Sequence, residues 1–242
     1  MQEPWEQQLC QFDSRLEEAK KWKPEFTNLV SRLPKIPIEY QISNEGLLSV
    51  QLAVYVLNGC LTPTYQALLA FNTLYEGRIL SMISFPVRIM LESWGAAHYA
   101  NQILVYMEET GDVHRALEKS HKLLLGARYP IDLPWGGKAS TKSVHVMDFI
   151  RCLKDTYPQV EDTYSFLCES CHPCWLMSTY WSLYPAHNNE ELRNQGIGYI
   201  EKVFTSMECT ISGITLDVEN TLKSAILYIE KDPKNNPGKP ID

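Results

Sequence analysis

The sequence predicts an all-α protein, a helical bundle of about seven helices. Apolar residues recur every three or four positions along most of the chain, which is the spacing of one helix face. Strand-like alternation is confined to two short stretches, 36–38 and 144–146, and prolines and glycines fall mainly between the periodic segments. With 242 residues, of which 45% are hydrophobic, the chain is long enough to bury a core without disulfide or metal staples. We therefore expect helices packed on helices in one domain over residues 1–230.

The first 43 residues are expected to form N-terminal helices and a linker. Apolar positions lie three or four residues apart between residues 3 and 32. Pro24 should kink this segment or start a new helix. Two further prolines make residues 33–43 an extended linker.

The core bundle, residues 44–230, is predicted to begin with two apolar helices. The first covers 45–61. Thr62-Pro63 is typical of a second helix start, because proline is tolerated in the first turn of a helix. The pattern then stays helical and apolar to Glu109, with Gly77 and Pro86 as the expected kink or break points.

The remaining core is predicted to hold four more helices. Gly111-Asp112 should end one helix and cap the next. Residues 127–141 contain two prolines and a Gly-Gly pair and are expected to form a long irregular loop. The four helices are expected at 113–126, 142–156, 159–172 and 190–230, with a candidate break near Gly213, and 231–242 is expected to be a disordered tail.

Charge and segment composition predict a cytoplasmic protein that does not enter a membrane. The formal net charge of −7 argues against a general nucleic-acid coat protein. Residues 1–8 are polar and acidic, whereas a secretion signal needs a basic start and an apolar core. The most apolar stretch, 47–61, is shorter than the roughly 20 residues that span a bilayer. In that compartment the seven cysteines are expected to be reduced thiols.

A cysteine-rich segment matches the C-x-x-C-H pattern of c-type haem attachment at Cys168–His172. Haem is not expected, because such attachment normally takes place outside the cytosol. Zinc is the second alternative, with Cys174 and the upstream Cys152 as further ligands. Structural zinc sites usually combine two separated ligand pairs, whereas Cys168, Cys171, His172 and Cys174 crowd into seven residues. A single helix turn cannot point all four at one ion. Buried thiols are the simplest interpretation, and we predict neither a metal nor a cofactor.

Arg88 and Glu92 form the most informative charged pair. On a helix they lie at i,i+4 on one face, in an otherwise apolar segment. Arg and Glu are almost never fully buried unless they are paired. The two residues are therefore expected either at a cleft or in an internal salt-bridge network, and the sequence leaves both open.

His172 ends its predicted helix, just before Pro173. Tyr164 stands eight residues earlier and so lies near the same face. A protonated histidine at a helix C-terminus is stabilised by the helix dipole, so a capping or core role is the alternative to a site role.

Arg115 and His121 fit Arg-x(4–6)-His, the signature of HEPN ribonucleases. In those enzymes an arginine stabilises phosphate charge and a histidine moves a proton during RNA cleavage. HEPN motifs usually carry a polar residue after the arginine, whereas this chain has Ala116. The same helix presents Arg115, Lys119 and Lys122 on one side, and such a basic stripe is more often a solvated face than an RNA track.

Two longer motifs resemble a group of uncharacterised, mostly bacterial all-helical proteins grouped with HEPN-like domains. Their patterns are Arg-x-x-x-Glu on one core helix and Tyr-x-x-Leu-x-Glu-x-x-His-Pro on a later one, and the likeness spans about residues 60–180. This chain departs from the group at Cys168, and no arginine precedes His172 at the HEPN spacing. The resemblance implies a HEPN-like core, a homodimer and one polar site between two helices formed by Arg88, Glu92, Tyr164, Glu169 and His172.

Two functions follow as hypotheses. In the first, the chain binds or cleaves RNA or a phosphorylated nucleotide. His172 would transfer the proton, Arg88 would hold phosphate and Glu92 would orient Arg88. The residues expected to contact the substrate are Tyr164, Glu169, Arg115 and His121. In the second, the chain is a non-catalytic helical interaction protein whose Arg-Glu-His cluster fixes the register of the helices.

Overall fold

The computed structural model describes residues 4–22, 25, 28, 45–125, 143–171 and 190–231. Every regular element within them is helical, which confirms the predicted all-α bundle. The described residues contain eight α-helices. The 3-10 turn Cys10–Phe12 joins the first two into one continuous segment, so the helices form seven segments. The helices are α1 (Pro4–Leu9), α2 (Asp13–Lys20), α3 (Glu45–Glu76), α4 (Ser84–Thr110), α5 (Val113–Leu125), α6 (Val146–Cys152), α7 (Val160–Cys171) and α8 (Glu190–Lys231). A second 3-10 turn, Leu80–Met82, lies between α3 and α4.

Several sequence predictions fall outside the described residues. They are the kink or helix start at Pro24, the linker over 33–43, the loop over 127–141 and the tail beyond Lys231. His172 also lies outside them, directly after the last residue of α7.

The expected helix start at Thr62-Pro63 is wrong, because α3 runs unbroken through Pro63. Proline inside a helix costs about 3 kcal/mol through the lost hydrogen bond and the ring clash. Buried side chains flank it on both sides, including Leu61 and Leu68. Each contributes roughly 1.5–3 kcal/mol by leaving water, so packing of the apolar face holds the helix together across the proline.

The break predicted at Gly77 is confirmed, and the one at Pro86 is not. The Gly77 amide donates to the Thr73 carbonyl at 2.9 Å, and Arg78 then takes a left-handed conformation with φ 58°. Such a residue ends a helix because it turns the chain away from the helix axis. Pro86 lies in the first turn of α4, where a missing amide hydrogen leaves no intrahelical bond unmade.

The predicted boundary at Gly111-Asp112 is confirmed. Gly111 adopts φ 70° and its amide donates to the Met107 carbonyl at 3.0 Å. Asp112 Oδ1 then accepts the backbone amide of Arg115 at 3.1 Å, so it caps the start of α5. Because only two residues separate α4 from α5, the chain reverses here and α5 packs against both α3 and α4.

Gly213 does not break α8. A Cβ at this position would lie 2.1 Å from the Trp94 ring, so the glycine lets α4 and α8 approach closely. Gly95 has the same role on the other side of α4, where a Cβ would lie 2.8 Å from the Phe149 carbonyl oxygen of α6. The glycines therefore serve close helix packing instead of interrupting the helices.

α4 is the central helix of the bundle. It packs against α3, α5, α6, α7 and α8. Nearly all buried apolar residues of the described chain form one contiguous cluster that reaches from the N-terminal helices to α8. Consequently a polar side chain on a packed face of α4 needs either a hydrogen-bonding partner or a route to the surface.

Phe204 joins the N-terminal helices, α3 and α8. Its ring stacks on Phe12 at 5.2 Å between centroids and meets Phe71 and Tyr75 edge-on at 5.0 and 5.1 Å. At the rim of this aromatic cluster, Arg15 forms a two-pronged ion pair with Glu208 of α8 and lies over the Phe204 ring at 5.3 Å. The aromatic cluster and the ion pair together fix α2 on α8.

Among the described residues, one helix is long and apolar enough to cross a membrane. It is α3, and 67% of its most apolar 18-residue window is buried inside the bundle.

Candidate functional site

Arg88, Glu92 and Tyr164 form a hydrogen-bonded cluster between α4 and α7. Arg88 Nε donates to Glu92 Oε1 at 2.9 Å, and the Tyr164 hydroxyl donates to the same oxygen at 2.9 Å. Arg88 Nη2 approaches the Tyr164 oxygen at 3.5 Å, and the guanidinium carbon lies 5.6 Å from the centre of the Tyr164 ring. The i,i+4 spacing predicts the first bond, whereas the bonds to Tyr164 depend on how α7 packs on α4.

The surroundings of this cluster shift the pKa values of Arg88 and Tyr164. Burial disfavours the charge of Arg88, but the hydrogen bond to Glu92 and nearby groups outweigh it and raise the pKa of Arg88. Burial and then the hydrogen bond to Glu92 raise the pKa of Tyr164 well above its usual value. Arg88 is therefore a permanent cation and Tyr164 a neutral donor at physiological pH.

The cluster is partly open to solvent. The Arg88 and Glu92 side chains keep 31% and 32% of their surface exposed. Nε of Arg88 donates to Glu92 and Nη2 approaches Tyr164, and the guanidinium also interacts with the Cys171 thiol. The Arg88–Glu92 pair is therefore partly buried at the contact between α4 and α7, and it is both solvent-accessible and internally paired.

Two thiols and a hydroxyl border the cluster. Cys168 and Cys171 follow Tyr164 by four and seven residues and share its face of α7. Cys171 Sγ lies 3.8 Å from the Ser84 hydroxyl at the start of α4. Burial raises the pKa of the Cys171 thiol, although the Ser84 hydrogen bond and the Arg88 charge oppose that shift.

The structure does not bring Glu169 to this cluster. Glu169 is exposed, and five residues from Tyr164 correspond to a rotation of about 140° around the helix. It forms no hydrogen bond or ion pair with the residues that the structure describes.

Arg115 and His121 lie in a different part of the bundle. The Arg115 guanidinium sits 5.8 Å from the ring centre of Tyr106. Tyr106 is 18 residues beyond Arg88 on α4, a separation of about 27 Å along the helix. The HEPN-type spacing on α5 therefore does not contribute to the Arg88 cluster.

A second polar cluster, which the sequence analysis does not identify, joins α4 to α8. The Trp94 indole N–H donates to Asp217 Oδ2 at 2.7 Å, and His98 Nδ1 lies 3.0 Å from both Asp217 oxygens. Gln102 Nε2 lies 3.2 Å from His98 Nε2. The His98 and Asp217 side chains are only 13% and 8% exposed.

Two sequence signals could have found this cluster. Trp94, His98 and Gln102 recur at i, i+4 and i+8, so they share one face of α4. Asp217 interrupts the apolar stripe of α8 between Ile214 and Val218, and a buried carboxylate needs a partner. Neither signal indicates which residue pairs with which, since the partners are 119 and 123 residues apart.

The described residues contain no group of three or more His, Cys, Asp or Glu side chains that could hold a metal ion. His172 and Cys174, two of the four crowded zinc ligands considered from the sequence, lie outside the described residues. The zinc alternative is therefore not decided by these residues.

Comparison with known proteins adds no family assignment. No model of a protein family matches the chain, and neither a curated protein nor a solved structure matches it.

Proposed function

We propose that the chain is a helical protein of the HEPN-like type that binds a phosphorylated ligand, a nucleotide or an RNA, at the Arg88 cluster. The observation that carries the proposal is a permanent guanidinium, held from one side by Glu92 and Tyr164, with nearly a third of its side chain in solvent. A planar guanidinium held in this way matches the oxygen pairs of a phosphate group.

The local charge limits what this site can hold. The charge of Glu92 balances that of Arg88, so the described cluster carries no net charge. The whole chain has a formal net charge of −7. Extended RNA binding relies on several phosphate contacts from Lys and Arg. The cluster therefore suits one phosphate of a mononucleotide or an RNA terminus better than a long RNA track.

Replacing Arg88 with methionine is expected to weaken binding of AMP and of a short 5′-phosphorylated RNA by at least about tenfold. The reason is that a hydrogen bond to a charged group contributes about 1.5–3 kcal/mol, and 1.4 kcal/mol is a factor of ten in affinity. Equilibrium dialysis with each ligand measures the effect. Methionine keeps most of the apolar stem, so packing changes least.

Arg115→Met is the matched control for this measurement. It removes an arginine that is exposed on α5 and far from the cluster. Its affinity for both ligands should stay within twofold of the unmodified chain. Equal loss in both variants, or in neither, contradicts a phosphate site at Arg88.

Catalysis is tested separately from binding. Purified protein and a His172→Ala variant are incubated with a mixed RNA pool. If His172 transfers a proton during cleavage, the variant should lose at least 100-fold in rate. Identical degradation by the two proteins removes the nuclease proposal and leaves the binding proposal standing.

The second candidate is the interaction protein without chemistry, and one observation favours it. A single oxygen of Glu92 accepts from both Arg88 and Tyr164, so the three groups satisfy one another and tie α4 to α7. In this alternative the cluster is a structural link, and its loss affects folding instead of binding.

Glu92→Ala is expected to lower the free energy of unfolding by about 1–3 kcal/mol, because the Tyr164 hydroxyl and the Arg88 charge lose their acceptor. Partial exposure keeps the loss below the figure of about 3–5 kcal/mol for breaking a fully buried pair. Urea unfolding measures it.

Glu118→Ala is the control, since Glu118 forms an exposed i,i+4 pair with Lys122 at 2.7 Å. Such pairs contribute about 0.3–0.5 kcal/mol. If Glu92→Ala costs no more than Glu118→Ala, the cluster does not link the helices. If it costs more while Arg88→Met leaves ligand binding unchanged, the interaction protein is the better description.

A further inference from the structure

The Cys168-x-x-Cys171 pair remains without a role in the proposed function. Both thiols are free, both are partly exposed, and they occupy the last turn of α7. The other described cysteines, Cys10, Cys60, Cys152 and Cys209, have no second cysteine within a helical turn in the sequence.

Helix geometry brings the two residues close to bonding range. Residues at i and i+3 have Cα atoms about 5 Å apart, within the range of roughly 4.4–6.8 Å found across disulfides. Their Cβ atoms lie about 5–6 Å apart in a regular helix, whereas a disulfide needs about 3.5–4.5 Å. Bond formation therefore requires a shift of about 1 Å in the backbone of this turn.

The spacing and exposure of the pair suit disulfide exchange. Cys-x-x-Cys is the spacing of known redox dithiols. Both side chains lie on the Tyr164 face of α7 and are partly exposed, so a small disulfide can reach them. Proximity of the thiols is also visible electrostatically, because Cys168 is among the groups that raise the pKa of Cys171.

We propose that Cys168 and Cys171 are a redox modification site, a dithiol that a small disulfide such as oxidised glutathione converts to an intramolecular disulfide. In the first exchange, the sulfur of one cysteine attacks a glutathione sulfur. A mixed disulfide forms, and one glutathione leaves with the thiol proton. In the second, the other cysteine attacks the protein sulfur of the mixed disulfide and releases the second glutathione.

The electron balance of these exchanges is closed. The two cysteines lose two electrons and two protons, which reduce one oxidised glutathione to two glutathione thiols. The proposal goes beyond the phosphate site and does not depend on it.

The experiment treats the reduced full-length chain with oxidised glutathione, quenches it with acid, denatures it and alkylates the remaining thiols. Intact mass and a peptide map are then recorded. In the peptide map, the chain without substitutions should show Cys168 and Cys171 protected from alkylation, a loss of two hydrogens on the peptide that carries them and no glutathione on either, whatever the exposed Cys10 and Cys209 take up. The map should place the bond between residues 168 and 171, and dithiothreitol should restore both thiols.

Serine variants test the second exchange, in which one cysteine releases glutathione from the other. In a C174S background, which removes the cysteine three residues beyond Cys171, C168S and C171S should each retain one glutathione at the remaining cysteine of the pair, because the thiol that would release it is missing. C209S, which removes an exposed cysteine of α8, should behave as the unmodified chain at residues 168 and 171.

Unreactive cysteines serve as an internal reference in the same samples. Burial raises the pKa of Cys60 to about 12 and, with a smaller contribution from Asp217, that of Cys152 to about 12. Both should remain free of glutathione at pH 8, since the thiolate is the attacking species.

The proposal is overturned if the map of the unmodified chain places the bond between other cysteines. It is overturned equally if Cys168 and Cys171 both remain open to alkylation, or if glutathione persists on both residues. The map uses the unmodified chain, so the result does not depend on whether a serine variant folds.

Discussion

Replacing Phe204 with alanine is expected to lower the free energy of unfolding by about 3–5 kcal/mol, the usual loss for a buried phenylalanine. The side chain is 0% exposed and contacts three other rings from the N-terminal helices and α3. Its loss removes apolar burial and leaves a cavity where three segments meet. Urea unfolding followed by circular dichroism measures the change.

Phe85→Ala is the matched control, since Phe85 is 49% exposed at the start of α4. The same truncation there should change the unfolding free energy by less than about 1 kcal/mol. If Phe204→Ala lowers the unfolding free energy no more than Phe85→Ala does, Phe204 does not stabilise the contact between these helices. Natural domains are stable by only about 5–15 kcal/mol, so Phe204→Ala is expected to remain folded but close to its limit.

The second large effect is expected for Asp217→Ala, at about 3 kcal/mol. The substitution leaves the Trp94 indole N–H and His98 Nδ1 inside the α4–α8 contact without their carboxylate. An unsatisfied buried polar group costs about 1–3 kcal/mol. Thermal unfolding in parallel with urea unfolding measures the loss.

Two control variants accompany this prediction. Asp217→Asn keeps the shape and one acceptor oxygen, so it should lose less than the alanine variant. Leu216→Ala changes the adjacent, exposed residue of the same helix and should be nearly neutral. Equal stability of Asp217→Ala and Leu216→Ala would show that the second polar cluster does not stabilise the bundle.

Sequence patterns predict most of the helices because local spacing decides them. Gly111-Asp112 carries its own stop and start signals, and the structure confirms both. Pro63 and Gly213 also look like breaks in isolation. They do not act as breaks, because the faces around them are buried against neighbouring helices, and packing of that kind cannot be seen in a local window.

In the candidate site, too, local spacing predicts some contacts, whereas others depend on how distant helices pack. Arg88 and Glu92 are four residues apart, so helical periodicity alone pairs them. Tyr164 is predicted as a site residue through a resemblance. Its hydrogen bond to Glu92 joins residues 72 positions apart and depends on how α7 packs on α4. His98 and Asp217 are each unremarkable alone, and only the crossing of α4 and α8 makes them a pair.

The length of α8 has a consequence for how the molecule can be divided. The helix has 42 residues, about 63 Å at the usual rise, and it contributes buried side chains from Ile200 to Ala225. A fragment that stops before Glu190 would uncover the apolar flank of α4 along most of its extent. We expect that limited proteolysis within α8 releases no stable fragment of the protein, and that the remaining helices of the bundle are then digested together.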